Sequence, residues 1–156
     1  DILLYLINIL IGVMRMKKEL SLKTLIVFMR ASQAVQDILR NDMEKYGVNL
    51  TEFAVLELLY HKGDQPIQHI GKKILLASSS ITYVVDKLEK KQLVERKACP
   101  KDRRVTYASI TEQGQAFIEE IFPQHEQTIE GIFDNLTEEE LETTMTLLKK
   151  IGKAEQ

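Results

Sequence analysis

Residues 67–114 read IQHIGKKILLASSSITYVVDKLEKKQLVERKACPKDRRVTYASITEQG, and this stretch decides the fold. Ile67, Ile70, Gly71, Ile74 and Leu75 recur at three- and four-residue spacing and form one face of a helix, with Pro66 standing where a helix can start. Leu76 and Ala77 predict a tight turn, with Ser78 as the cap of the next helix. Ile81, Val84, Val85 and Leu88 then follow an i, i+3, i+4, i+7 spacing, which turns them to a core, and Gln92 closes the helix. Residues 93–98 and 105–110 have strand character and enclose a short cationic loop. Helix, turn, helix and basic hairpin in that order describe a winged helix-turn-helix.

The second helix of this stretch leaves Ser79, Thr82, Tyr83, Asp86, Lys87 and Lys90 opposite its apolar stripe. A helix fits the major groove of DNA, where hydroxyls and amines meet base edges and N-terminal amides can hold a phosphate. Ser78, Ser79 and Ser80 stand at that end. Taken alone, these residues fit an ordinary surface helix with a serine cap equally well. Their neighbours favour DNA: the loop at residues 99–104 offers Lys101, Asp102, Arg103 and Arg104. Several cations on a short loop, with an aspartate able to orient one of them, suit a minor groove whose narrow walls focus negative potential.

Charge is segregated along the chain. Residues 87–104 hold eight basic and three acidic side chains, net +5, although the whole chain is net −2. From residue 105 to 148 there is no Lys or Arg, while ten Asp and Glu accumulate. Charge runs are usually solvated faces, but a nucleic-acid footprint is local and does not require a basic protein.

The chain has 156 residues, 44% of them hydrophobic, enough for one domain with a core or a small domain plus an assembly arm. The single cysteine, Cys99, excludes an intramolecular disulfide framework and a cysteine-rich zinc site, which suits a reducing cytoplasm. His61, His69 and His125 are far apart and read as surface or loop residues. With no paired metal-ligand spacing, nucleophile motif, phosphate loop or dinucleotide fingerprint, neither an enzyme nor a cofactor or metal is expected.

Residues 1–14, DILLYLINILIGVM, are apolar but short of the roughly 20 residues a membrane span needs. Positive charge follows this run instead of preceding it, unlike a secretory signal. Met16 resembles a natural beginning, so residues 1–15 read as an added extension that, if folded, forms a helix buried against another subunit. No membrane partner is expected.

Apolar positions from Leu22 through Leu39 and Met43 to Tyr46 predict a long first helix ending at Gly47. Thr51 can cap a second helix that turns Phe53, Leu56, Leu59 and Tyr60 inward and breaks at Gly63. After the hairpin, Thr111 caps a long helix containing Phe117, Ile118, Ile121 and Phe122, with Pro123 predicting a kink. Thr137 and Glu140 form a capping box for a last helix with Leu141, Met145, Leu148 and Ile151 on one face. The fold class is therefore mainly α with a small β-hairpin: a winged helix-turn-helix at residues 48–110 plus a helical arm at 16–47 and 111–156.

The chain resembles the MarR family of bacterial transcriptional regulators. DRR at 102–104 followed by ITEQG at 110–114 is similar to that family's wing signature, D-x-R with a later L-T-x-x-G, with Ile110 in place of leucine and Pro100 two residues before the aspartate. The resemblance continues through LEKKQLV at 88–94 and TEFAVLELL at 51–59 and covers about residues 22–153. It implies that Arg104 enters the minor groove with Asp102 as its orienting partner, and that Ser79, Ser80, Thr82, Tyr83 and Lys87 face the major groove. It also implies a homodimer on a near-palindromic operator, acting as a repressor.

Members of the family bind phenolic or other aromatic ligands between arm and DNA-binding lobe, or sense oxidants through a cysteine. Residues 50–60 and the first helix could line such a pocket, or serve as plain core. Cys99 lies among Lys97, Lys101 and Arg103, which could favour its thiolate, although peroxide-sensing members carry their cysteine near the first helix. Similarity is closest to the quinone- and catechol-responsive branch. The competing reading is a winged-helix module for protein interaction, with no operator of its own.

Overall fold

The computed structural model describes residues 2–74, 80–99, 102 and 104–152, with residues 3–5 and 7–9 described by their backbone. The expectations placed on Leu75, the turn at Leu76 and Ala77, Ser78, Ser79, Pro100, Lys101 and Arg103 lie outside the described residues. The element order is α1 (Ile2–Glu44), α2 (Leu50–Lys62), β1 (Gln65–Pro66), α3 (Ile67–Lys73), α4 (Ile81–Lys90), β2 (Val94–Ala98), β3 (Thr106–Ile110), α5 (Glu112–Phe133) and α6 (Glu138–Gly152). The chain divides into two units, Asp1–Ile38 and Leu39–Gln156, and α1 contributes to both.

The first unit is helical, and its helix begins at Ile2, so the apolar run and the amphipathic segment after it are one element. Leu10, Val13, Leu20, Leu25 and Phe28 are among its exposed apolar side chains. On its surface Lys23 meets Glu19, 2.8 Å apart at i,i+4.

The second unit holds the core, in which Met43, Val55, Leu56, Leu59, Ile70, Val84, Val85, Leu88, Val94, Ala108 and Ile118 are almost fully buried. Gly47, at φ +73°, follows the end of α1, as its left-handed conformation suits. The cap of α2 is Asn49, not Thr51. Asn49 Oδ1 accepts from the Glu52 amide at 2.9 Å, and Glu52 Oε2 accepts from the Asn49 amide at 2.9 Å. Glu stands three residues after Asn49, completing a capping box, whereas Ala54 stands three after Thr51; Thr51 is instead buried in the first turn. Gly63, at φ +70°, ends the helix by donating to the Leu59 carbonyl.

The sheet has three strands, in the order β1-β3-β2, and is antiparallel throughout. The hairpin of β2 and β3 matches the sequence reading, with Val94 opposite Ile110 and Ala98 opposite Thr106. The added strand, β1, pairs Gln65 with Ala108. Two residues show no alternation, and the proline is tolerated because it lies on an edge. Helix α4 begins at Ile81, with Ser80 at the capping position and no side-chain bond from it to the helix. Val84, Val85 and Leu88 are buried as their spacing requires.

His125 is not a surface residue. It is buried on α5 with its Nδ1 2.9 Å from Asp42 Oδ2, and its ring meets Phe53 edge-on at 4.8 Å. The other Asp42 oxygen accepts from Thr128 at 3.1 Å and from Lys45 at 3.4 Å. Burial pushes the Asp42 carboxyl up, but the bonds from His125, Thr128 and Lys45 outweigh it and hold it below its ordinary 3.8. A carboxyl depressed in the folded state stabilises fully above its unfolded value and loses that contribution as pH falls through the folded one. Stability is therefore expected to fall below about pH 4, and Asp42→Asn, followed by chemical denaturation across pH 2 to 6, should flatten that fall. A slope unchanged by the substitution would remove Asp42 from the acid response.

Candidate nucleic-acid interface

Helix α4 and the β2–β3 hairpin carry the described candidates. The exit from α4 explains how they are held together. Gln92 takes φ +61°, its amide donates to the Glu89 carbonyl at 2.9 Å, and the Leu93 amide donates to the Leu88 carbonyl at 3.0 Å. These two bonds satisfy the Leu88 and Glu89 carbonyls in the last turn of the helix and turn the chain into β2. The start of α5 docks on the same corner. Thr111 Oγ1 donates to the Gln92 carbonyl at 2.7 Å and accepts from the Gly114 amide at 3.0 Å, and the Thr111 amide donates to the Leu93 carbonyl at 3.1 Å. A Cβ on Gly114 would lie 2.1 Å from the Leu93 oxygen. The T-x-x-G at residues 111–114 is thus a joint between the end of α4, the start of β2 and α5, and only glycine fits its last position.

On α4, Thr82 and Tyr83 are exposed, and Lys87 is half-buried with its Nζ 4.9 Å from the Tyr83 ring centre. Lys90 is exposed, and Ser80 is exposed at the helix start. Strand β2 returns against this helix through Arg96, whose guanidinium meets Asp86 and Glu89 and lies 3.5 Å from the Thr82 carbonyl. Behind α4, Lys91 reaches the buried Glu52 at 2.8 Å and the Gly47 carbonyl at 2.7 Å, fixing the end of the helix to α2.

At the hairpin tip, Asp102 Oδ1 accepts from the Arg104 amide at 3.0 Å and from its Nε at 3.1 Å, while Oδ2 accepts from Nη2 at 3.2 Å. The Arg104 side chain is 91% exposed, and among the described residues the Asp102 carboxylate is what aims its guanidinium. The same bonds from Arg104 hold the Asp102 carboxyl below its ordinary value. Cys99 is half-buried, and its amide donates to the Val105 carbonyl at 3.0 Å. Lys97, one of the cations read as favouring its thiolate, binds Ser109 at 2.8 Å and Glu95 at 3.1 Å.

Besides a recess of about 370 Å³ between α2 and α3, two further recesses lie among the described residues of this unit. One, of about 320 Å³, lies between α2 and α5 and is lined by Tyr60, His61, Ile118, Glu119, Phe122 and Pro123. Within it the Tyr60 hydroxyl donates to Glu119 at 3.2 Å, and His61 sets its ring edge-on to both Tyr60 and Phe122. The other, of about 470 Å³, is bordered by Gly47, Asn49, Glu52, Lys87 and Lys91. Among the described residues, no group of three or more His, Cys, Asp or Glu could hold a metal ion, and no helix is long and apolar enough to cross a membrane.

The sequence reading singled out the Asp102 and Arg104 pair and the outward residues of α4, and the fold brings these onto one helix and its adjoining hairpin. It missed Arg96, whose partners lie seven and ten residues away, and Lys91, whose partner lies 39 away. The only available signal was a net-basic segment, which does not separate cations that face solvent from those that are paired.

The family model described as MarR family matches residues 48–106. The HTH-type transcriptional regulator MhqR of Bacillus subtilis (strain 168) is 57% identical over 134 residues, covering 86% of this chain and 92% of that protein. A structure of Bordetella bronchiseptica BpsR, described under a mechanism for regulation of its DNA binding by 6-hydroxynicotinic acid, superposes with a TM-score of 0.71 at 25% identity. It covers 81% of this chain and 96% of that one. Sco3205 from Streptomyces coelicolor, a MarR family regulator solved in complex with DNA, shares the fold with a TM-score of 0.74 at 22% identity, covering 83% and 86% of the two chains.

Proposed function

The chain belongs to the MarR family of transcriptional regulators, and on that footing we propose that it is a dimeric repressor that binds a near-palindromic operator and is released by a small aromatic ligand. The observation that carries the reading is the exposed Arg104 guanidinium held by Asp102 at the tip of a hairpin that is itself tied to α4. A wing arginine held in advance loses little freedom on entering a minor groove, and α4 offers Ser80, Thr82, Tyr83, Lys87 and Lys90 to the major groove. Ser78, Ser79, Lys101 and Arg103 belong to the same proposed surface by their place in the sequence.

The dimer reading is supported by apolar side chains that a single chain leaves in water: Met145, Leu147, Leu148 and Ile151 on α6, and those of the first unit. A two-fold dimer presents two α4 helices to successive turns of one DNA face. Residues 48–110 act as the DNA-binding region, with 16–47 and 111–156 as the dimer arm and 1–15 as an apolar extension of it. This is a binding protein of the cytoplasm, not an enzyme: relatives such as MhqR are named as regulators.

For the effector, the recess between α2 and α5 fits a small phenolic ring, with aromatic edges from Tyr60, His61 and Phe122 and a polar pair at Tyr60 and Glu119. Sensing through Cys99 is the weaker reading, because Lys97 is committed to Ser109 and Glu95. Selection of bound fragments from the source genome tests the whole. Recovery of one inverted repeat, released by phenols or quinones from the native protein and from Cys99→Ser alike, supports the ligand-released repressor. Release of the native protein alone would transfer sensing to the thiol. Recovery of no enriched fragment would leave a protein-interaction module.

A further inference from the structure

Helix α4 carries two carboxylates, Asp86 and Glu89, alongside Lys87 and Lys90. Unpaired, they would set negative charge on the element proposed to approach phosphates, and like charges across an interface suppress association. Both are taken up by one side chain of the neighbouring strand. Arg96 Nη2 lies 2.5 Å from Asp86 Oδ1 and Nη1 bonds Glu89 Oε2, while the same Nη2 lies 3.5 Å from the Thr82 carbonyl. A guanidinium is planar and its donors are fixed relative to one another, so one that meets residues 82, 86 and 89 together fixes the rotation of α4 about its axis. The Arg96 side chain is only 27% exposed and both its Nη1 and Nη2 are engaged with α4, so it is poorly placed to contact phosphate itself.

We propose that Arg96 acts on DNA recognition through its neighbours: it masks Asp86 and Glu89, so that Lys87 and Lys90 act as the net charge of the helix. This rests on the DNA-binding reading above.

The test compares the full-length native chain, Arg96→Met, and the triple variant Arg96→Met, Asp86→Asn, Glu89→Gln. Affinity for a genomically selected duplex and for an unrelated duplex is measured across salt, with the thermal midpoint alongside. Arg96→Met should weaken binding to the selected duplex by roughly tenfold, and neutralising the two carboxylates in the triple variant should recover most of that loss. A merely structural role would not give recovery, since the triple variant still lacks the clamp. Arg96→Met binding within about twofold of native, or a triple variant as weak as Arg96→Met, would overturn the proposal. If Arg96→Met does not fold, Asp86→Asn with Glu89→Gln replaces it. Freed Arg96 should then tighten binding to the unrelated duplex and lower discrimination by roughly fivefold, and unchanged discrimination would overturn the proposal. A native chain that binds no duplex sinks the DNA reading itself, an outcome distinct from native binding that Arg96→Met leaves intact.

Discussion

Arg104→Ala is expected to weaken operator binding by roughly tenfold to a hundredfold while leaving the dimer folded and its thermal midpoint unchanged. The side chain is 91% exposed and its polar partner is Asp102, two residues away on the same hairpin, so its removal opens no cavity and strands no buried charge. What it removes is a guanidinium aimed in advance, and one such arginine per wing means two in the proposed dimer. Asp102→Asn separates aim from charge. It makes the wing more positive, so simple attraction would tighten binding, whereas loss of the two-oxygen hold should loosen it by a smaller factor than Arg104→Ala. Anisotropy titration of all three proteins on one duplex checks both. Arg104→Ala with native affinity would remove the residue from the interface.

Gly114→Ala is expected to cost about 3 kcal/mol of stability, a fall in Tm on the order of 10 °C for a chain of this size. The added methyl would sit 2.1 Å from the Leu93 carbonyl oxygen and 2.8 Å from Ile110 Cγ1. The first neighbour is backbone, and it is held by the Thr111 amide at 3.1 Å, so it cannot step aside as a side-chain tip would. Relief requires either lifting α5 off the corner or opening the Thr111 bonds to Gln92 and Leu93, and both disturb the base of the wing. Calorimetry of the variant checks the prediction, and a midpoint within about 2 °C of native would contradict it.

The elements legible in the sequence are those whose signal is local. The apolar spacing of Ile81, Val84, Val85 and Leu88 predicts the buried face of α4, and Thr111 caps α5 as its position before Glu112 suggests. The Asp102 and Arg104 contact spans two residues and follows from the D-x-R resemblance. What was not legible depends on partners brought close only by folding. His125 looks like any helix histidine until Asp42, 83 residues earlier, lies beside it. Strand β1 is too short to alternate and exists because Ala108 and Tyr107 offer it an edge. Asn49 and Thr51 can both cap, and Glu52, three residues after Asn49, is what selects Asn49 in the fold. The clamp at Arg96 needed knowledge of which face of α4 the returning strand covers.

The central claim, that α4 and its wing form a DNA reader, is tested most directly by titrating salt against binding to a selected duplex and to a scrambled one. A dimer contacting several phosphates should bind the selected duplex far more tightly. The logarithm of its affinity should fall linearly with the logarithm of salt concentration, with a slope of about −4 or steeper. Binding to neither duplex at low salt, or equal binding to both at every salt concentration, would contradict it.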